Sequence, residues 1–222
     1  YDLARRGVSV ICNPTASHFA FAKSEIRKSL VLEGAKIIDG AYVFANLLGN
    51  EAGRIIFDGD AYIAHEGKIL QQSPRFSYQD VSLISHELSL PIREDKGEDV
   101  VVFELKLSSE NKVSSVEIPA WESSSTKKEE EFSRSIALGL FDYLRKSRSQ
   151  GWVLSLSGGA DSSAIASLCS LSIQNAIAEL GWEGLKAKLD YIPLSTQDRV
   201  MSDLLTTIYQ GTVNSSQNTR DS

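Results

Sequence analysis

The run Leu156-Ser157-Gly158-Gly159-Ala160-Asp161-Ser162-Ser163 follows the apolar stretch Trp152-Val153-Leu154 and opens into a helical pattern. A strand that enters a glycine turn and leaves as a helix gathers several backbone N–H groups around one point. That point lies at the positive end of the helix and holds an oxyanion, most often a phosphate. The run has no Gly-Lys-Ser/Thr, so it is not a Walker A loop and offers no lysine to a β/γ phosphate. The cradle is left with backbone amides, the hydroxyls of Ser157, Ser162 and Ser163, and a cation held by Asp161. Those parts suit a pyrophosphate leaving group and suggest cleavage of ATP to AMP and pyrophosphate. Gly158-Gly159 alone better describes a tight strand-to-helix turn with Ser and Asp as caps, and it is the full Ser-Gly-Gly-x-Asp-Ser string after the strand that favours the cradle. Ser155 is strained if its φ is positive and harmless if it still belongs to the strand.

A net charge of -6 argues against a general nucleic-acid binder, which carries a basic face. The chain of 222 residues is 42% hydrophobic and 23% charged, an ordinary globular balance with room for one large or two small domains. Cys12 and Cys169 lie far apart in apolar settings; they form no disulfide framework and fit a reducing, cytoplasmic compartment. No apolar run reaches membrane-spanning length, and no signal peptide is present. The chain starts without Met and stops at Arg220-Asp221-Ser222 with no closing element, which reads as an internal piece of a longer protein.

The first stretch alternates strand and helix. Val8 to Cys12 reads as a buried strand broken by Asn13-Pro14. A helix is expected from Ser24 to Ile38, with Ile26, Leu30 and Ile37 on its apolar face. Ala41 to Ala45 is another strand. Residues 53–72 read as a strand pair, Arg54 to Phe57 and Ala61 to His65, joined at Asp58-Gly59, with a second turn at Glu66-Gly67 into Lys68-Ile69-Leu70. Val81 to Leu90 suggests a further strand. From Pro91 to Lys128 serine and charge rise as in a connector, with a local strand at Val100 to Phe103. Glu129-Glu130-Glu131 reads as an acidic first helical turn, followed by Phe132, Ile136, Leu140 and Leu144 at helical spacing. After the glycine loop come a helix from Ser162 to Leu180, a strand from Leu189 to Leu194 and a helix from Ser202 to Tyr209. This order is half of an open parallel α/β domain, with its ligand site at the carboxyl ends of the strands. There are no internal repeats.

The Ser-Gly-Gly-x-Asp-Ser string resembles the pyrophosphate loop of the N-type ATP pyrophosphatases, although many such loops begin with Gly where Ser155 stands. Asn13-Pro14-Thr15-Ala16-Ser17-His18-Phe19, with Lys23 six residues after Ser17, resembles the later half of a nitrilase-type amidase. The likeness continues through Asn46 to Gly59, Gly67 to Leu70 and Pro74-Arg75-Phe76. A nitrilase half joined in this order to a pyrophosphate loop resembles the glutamine-dependent NAD synthetase family, and Thr212 to Arg220 resembles that family's Asn-Ser-Ser-x-x-Thr stretch. The resemblance implies the later half of an α-β-β-α sandwich (residues 1–90), a connector (91–128) and the first part of an adenine nucleotide α-hydrolase-like domain (129–222). It implies ATP-dependent amidation of deamido-NAD(+) with ammonia from glutamine, and Mg²⁺ as cofactor.

By the same resemblance Ser155, Leu156, Ser157, Gly158, Gly159, Ala160, Asp161 and Ser162 wrap the ATP phosphates. Asp161 ligates the metal, and Ser17 and Lys23 hold glutamine. Asn214, Ser215 and Ser216 approach ATP or the dinucleotide. Cys12 reads as a small core residue rather than the amidase nucleophile. The family's cysteine, glutamate and lysine are expected upstream of residue 1, so the piece alone is expected to be inactive. The partners implied are small molecules, with neither nucleic acid nor membrane, and a homo-oligomer in the full-length protein. Other pyrophosphate-loop amidoligases, of GMP or asparagine synthetase type, and a non-catalytic scaffold are the competing readings. His18, His65 and His86 are too scattered for a metal site, Cys169 reads as core, and Asp58-Gly59-Asp60 reads as turn chemistry. Asp198 and Asp203 lie near an expected strand end.

Overall fold

The computed structural model describes residues 2–51, 53–90, 101, 104 and 116–211. Most of the connector, with Val100, Val102 and Phe103 of its expected strand, and the stretch Thr212 to Arg220 with Asn214, Ser215 and Ser216 lie outside the described residues. The chain divides into two compact units. One comprises Tyr1–Leu48, Phe57–Arg75 and Val81–Ser125; the other comprises Gly49–Ile56, Phe76–Asp80 and Thr126–Ser222. Before the first strand stands a one-turn helix, α1 (Asp2–Arg5).

The first unit is built on β1 (Val10–Thr15), α2 (Lys23–Ile38), β2 (Ala41–Asn46), β5 (Ala61–His65) and β6 (Lys68–Gln72), in a four-stranded sheet of order β1-β2-β5-β6. Between β2 and β5 the chain forms a separate two-stranded sheet, β3 (Leu48–Glu51) with β4 (Ile55–Asp58). β1 and β2 are parallel and joined through α2, a crossover that a two-residue turn cannot make. β5 runs antiparallel to both β2 and β6. The β5–β6 connection holds Glu66 at φ 49° and Gly67 at φ 71°. Two successive left-handed residues form the turn whose twist matches a hairpin's strands.

β1 runs past Asn13-Pro14 to Thr15, correcting the break expected there. Among the described residues β1 is an edge strand, so the missing N–H of Pro14 costs no ladder bond toward a further described neighbour. The strand's alternate residues are exposed rather than buried, and Cys12 is among the exposed ones, which corrects its assignment to the core. The expected pairing of Arg54–Phe57 with Ala61–His65 is also corrected, because Asp58-Gly59 carries the chain from the β3–β4 sheet into the four-stranded one. α2 buries Ser24, Arg27, Val31, Ala35 and Ile38, whereas Ile26, Leu30 and Ile37 face outward, Ile26 at 60% exposure. The apolar face read from the sequence is therefore the wrong one. Val31 and Ala35 pack on Phe44, Tyr62 and Ala64, where small helix residues let the sheet's aromatic side chains approach. Residues 81–90 form irregular backbone instead of a strand, so His86 is not on one.

The second unit contains α3 (Lys127–Ser147), β7 (Trp152–Ser155), α4 (Ala160–Lys188), α5 (Val200–Leu204) and β8 (Leu205–Ile208). β7 and β8 are parallel, in register from Trp152 with Leu205 to Ser155 with Ile208. α3 starts with Glu129 and Glu130 in its first turn, as the helix dipole favours. Its buried face carries Ala137, Leu138, Phe141 and Leu144, and α4 supplies Cys169, Ile173, Ala176 and Leu185 to the core. α4 breaks at Gly181, whose φ of 72° and ψ of 170° lie outside the helical region, and resumes to Lys188. The strand expected at Leu189–Leu194 is replaced by local turns. Ile192 N–H donates to Leu189 O, and Leu194 N–H to Ile192 O, on either side of Pro193. The helix expected over Ser202–Tyr209 splits into α5 and β8. Val153 is 72% exposed, so β7 is a half-covered strand and not a buried one. Among the described residues no helix is long and apolar enough to cross a membrane.

Candidate functional site

In the second unit the glycine run occupies the strand-to-helix turn that its sequence implies. Ser155 ends β7, opposite Ile208, and Leu156 N–H donates to Ile208 O at 2.9 Å. The carboxyl ends of the two parallel strands therefore stand side by side below the loop. Ser155 is not among the positive-φ residues, so the strand conformation holds and no strain arises there. The left-handed residue is Gly158, at φ 70°. Gly159 caps α4 in an extended conformation, and Ala160 begins the helix.

Serine hydroxyls brace the turn from inside. Ser162 is buried and donates to Gly159 O at 3.1 Å, while Ser163 Oγ donates to the same carbonyl at 3.0 Å. Ser157 Oγ lies 3.4 Å from both Ser162 Oγ and Gly159 N. The Gly159 carbonyl also accepts Ser163 N–H at 3.2 Å, so side chains and backbone together fix the start of α4. Ser157, Gly158, Gly159, Ala160 and Asp161 are all exposed, so the loop is open to a ligand. Asp161 stands in the first turn of the helix, an exposed carboxylate beside the glycine turn. Asp203 lies elsewhere in this unit and is committed locally. Its carboxylate accepts Ser195 N–H at 2.8 Å and Ser195 Oγ–H at 2.6 Å, and those bonds hold its pKa below the usual carboxylate range. Asp198 sits in a short 3₁₀ turn, Gln197–Arg199.

In the first unit Ser17 and Lys23 bracket the loop between β1 and α2. Lys23 Nζ donates to His18 O at 2.9 Å, and Ser17 N–H donates to Asn46 Oδ1 at 2.8 Å. The residues that sequence reasoning missed lie beneath this loop. Arg27 is buried and makes ion pairs with Asp58 at 2.6 Å and Asp60 at 3.1 Å. Both carboxylates are fully buried, which corrects the view of Asp58-Gly59-Asp60 as turn chemistry alone. Burial, reinforced by the neighbouring Asp58 charge, pushes the Asp60 pKa up. Tyr62 donates its hydroxyl to Asp60 at 3.0 Å, and Arg75 approaches the same carboxylate at 4.0 Å while pairing with Glu122 at 2.7 Å. The available signal was the spacing of Arg27 four residues after Lys23, one helical turn away on the same face. His65 ends β5 with its ring Nδ1 3.1 Å from Gly40 O, and His18 contributes its backbone carbonyl to the loop.

Residues 132–190, spanning the loop and the helices on either side of it, match the family model described as NAD synthase. A glutamine-dependent NAD(+) synthetase of Arabidopsis thaliana is 30% identical over 243 residues, which is 99% of this chain and 34% of that protein. The chain is a homologue of the glutamine-dependent NAD(+) synthetases. The Homo sapiens glutamine-dependent NAD(+) synthetase is 32% identical over 251 residues, covering 98% of this chain and 34% of its own length. A crystal structure of a glutamine-dependent NAD(+) synthetase from Cytophaga hutchinsonii matches with a TM-score of 0.76 and 38% identity, over 98% of this chain and 33% of that one. The chain thus spans about a third of the length of the synthetases it matches. The mixed α/β architecture with its parallel strand pairs is thus structurally similar to part of the Cytophaga hutchinsonii synthetase.

Proposed function

We propose that this chain is part of a glutamine-dependent NAD(+) synthetase, an ATP-dependent ligase that amidates deamido-NAD(+) with ammonia drawn from glutamine. The observation that carries the reading is the lysine-free cradle at the carboxyl end of β7, within the stretch that matches the NAD synthase family. A carboxylate does not yield to ammonia at neutral pH, because its oxygen leaves poorly. Adenylation by ATP makes that oxygen a good leaving group and releases pyrophosphate. The residues from Ser155 to Ser162 hold the phosphates. The left-handed Gly158 shapes the turn, the exposed amides of Gly159 and Ala160 donate to the anion, and the helix end adds its positive potential. Asp161 is a hard oxygen donor in the first turn of α4 that would hold Mg²⁺, and the ion would supply charge neutralisation when bound. A structural neighbour, the synthetase of Acinetobacter baumannii in complex with ADP, agrees with a nucleotide site on this fold.

The amidase-like assignment of the first unit draws support from α2 packing on the four-stranded sheet, as one α-β layer of an α-β-β-α sandwich would. In that reading Ser17 and Lys23 contact the glutamine substrate. A homo-oligomeric protein in the cytoplasm completes the proposal; two free cysteines agree with a reducing compartment. The test is Mg-ATP titration and NAD(+) formation by the full-length protein carrying Asp161→Ala. Binding and turnover are expected to fall by tenfold or more, and unaltered NAD(+) formation would remove Asp161 from the site.

A further inference from the structure

The loop bearing Ser17 is gripped by its backbone from two sides. From α2, Arg27 Nη2 donates to Ser17 O at 2.8 Å and to His18 O at 3.2 Å, and lies 3.3 Å from Ser17 Oγ. From the end of β2, Asn46 Nδ2 donates to Ser17 O at 2.9 Å while its Oδ1 accepts Ser17 N–H at 2.8 Å. One carboxylate orients both arms. Asp58 Oδ2 accepts from Arg27 Nη1 at 2.6 Å, and Asp58 Oδ1 accepts from Asn46 Nδ2 at 2.7 Å.

Helix, strand end and the β4–β5 crossing are thus tied to the two peptide units that meet at Ser17. A buried ion pair is weak evidence for stability, since apolar packing of equal volume commonly does as well. Its geometry is more informative. The two hydrogen bonds to Ser17 O and the one from its N–H leave the hydroxyl with only a long contact. Both amide planes flanking Ser17 are held while its side chain is left to a ligand.

We propose that Asp58, Arg27 and Asn46 form a positioning unit that presets the Ser17–Lys23 loop to grip glutamine. The inference rests on the reading of Ser17 and Lys23 as glutamine contacts. None of the three residues needs to touch the substrate. Arg27 and Asn46 act through the Ser17 peptide, and Asp58 acts through them. The arrangement supplies preorganisation, so that binding does not have to order the loop.

The test uses the full-length protein with Arg27→Lys, Asn46→Ala and, alongside them, Ser17→Ala. Arg27→Lys keeps a cation against Asp58 but lacks the fork that reaches Ser17 O. Asn46→Ala removes the opposite arm, so the clamp is still read if one variant misfolds. Each is expected to lower the ratio of glutamine-driven to ammonia-driven kcat/KM about tenfold, through a higher KM for glutamine. Each should also speed amide hydrogen exchange across residues 16–22. An equal fall with both nitrogen donors overturns the proposal, as does a ratio that stays at the wild-type value. A Ser17→Ala protein with unchanged glutamine KM overturns the glutamine reading itself. The exchange rates of the other two variants then report separately that the loop is clamped for some other purpose.

Discussion

Gly158 and Gly159 are adjacent in the sequence yet do different work. Gly158 holds φ at 70°, in the left-handed region, whereas Gly159 is extended at φ -88° and a Cβ there would meet only Ser157 Oγ at 3.3 Å. Gly158→Ala is therefore expected to cost about 1–2 kcal/mol of backbone strain. Gly159→Ala should cost less, and thermal unfolding of the two variants of the full-length protein measures the difference. A larger loss at Gly159 would contradict this account of the turn. Asp60 gives a second prediction. Its folded pKa is raised, so the folded state holds the proton more tightly than the unfolded chain, where the ordinary value is 3.8. Its contribution to stability is complete below that value and declines as pH climbs through the folded pKa. Asp60→Asn removes the titration. The thermal midpoint of the wild-type protein relative to this variant should therefore fall as pH is raised from 4 to 7. A constant difference would show that Asp60 keeps an ordinary pKa in the folded protein.

At the scale of elements, existence was easier to read than orientation. The helix over Ser24–Ile38 is present one residue longer, as Lys23–Ile38, because it is rich in good helix formers and ends at Asp39-Gly40, where Asp39 is left-handed. Its buried side follows Arg27, Val31, Ala35 and Ile38 rather than Ile26, Leu30 and Ile37. The sheet below selects small residues for close approach and draws Arg27 down to two carboxylates, and neither demand appears in hydropathy. Val31→Ala should accordingly cost about 1–2 kcal/mol through lost packing. Leu30→Ala, which removes the larger group from the exposed side, should stay within about 0.5 kcal/mol. Denaturant unfolding of both variants checks the order, and the reverse order would restore the original face. β8 was misread as helix because Leu205-Thr206-Thr207-Ile208 follows a true helical turn, while its strand partner β7 lies some fifty residues earlier. β-branched residues hinted at a strand, but only the parallel neighbour supplies the hydrogen bonds that make one.

Across the whole molecule the chain does not respect a single boundary. Gly49–Ile56 and Phe76–Asp80 group with the second unit although the sequence around them belongs to the first. Side chains within the second unit explain the grouping. Glu179 accepts hydrogen bonds from Ser77 Oγ and from Tyr78 N–H, the latter at 2.9 Å, and Tyr78 packs edge-on against Phe141. Asp142 accepts Asn50 N–H at 2.7 Å and pairs with Arg145 and Lys146. Glu179→Ala should leave Tyr78 N–H and Ser77 without their acceptor, at a cost of about 1–3 kcal/mol. Faster amide exchange confined to residues 76–80 is the expected readout, and unchanged exchange there would mean that the aromatic packing alone holds the segment. By itself the sequence determined the glycine turn, the strand before it, the helix after it and the likeness to NAD synthetases. These depend on local backbone requirements: a glycine where φ is positive, hydroxyls at a helix start, and an apolar strand leading in. Only the tertiary structure decided which face α2 buries, that Asp58 and Asp60 go inside with Arg27, and which segments join which unit. Those outcomes depend on charges and surfaces brought together from distant positions, whose pairing no local pattern encodes.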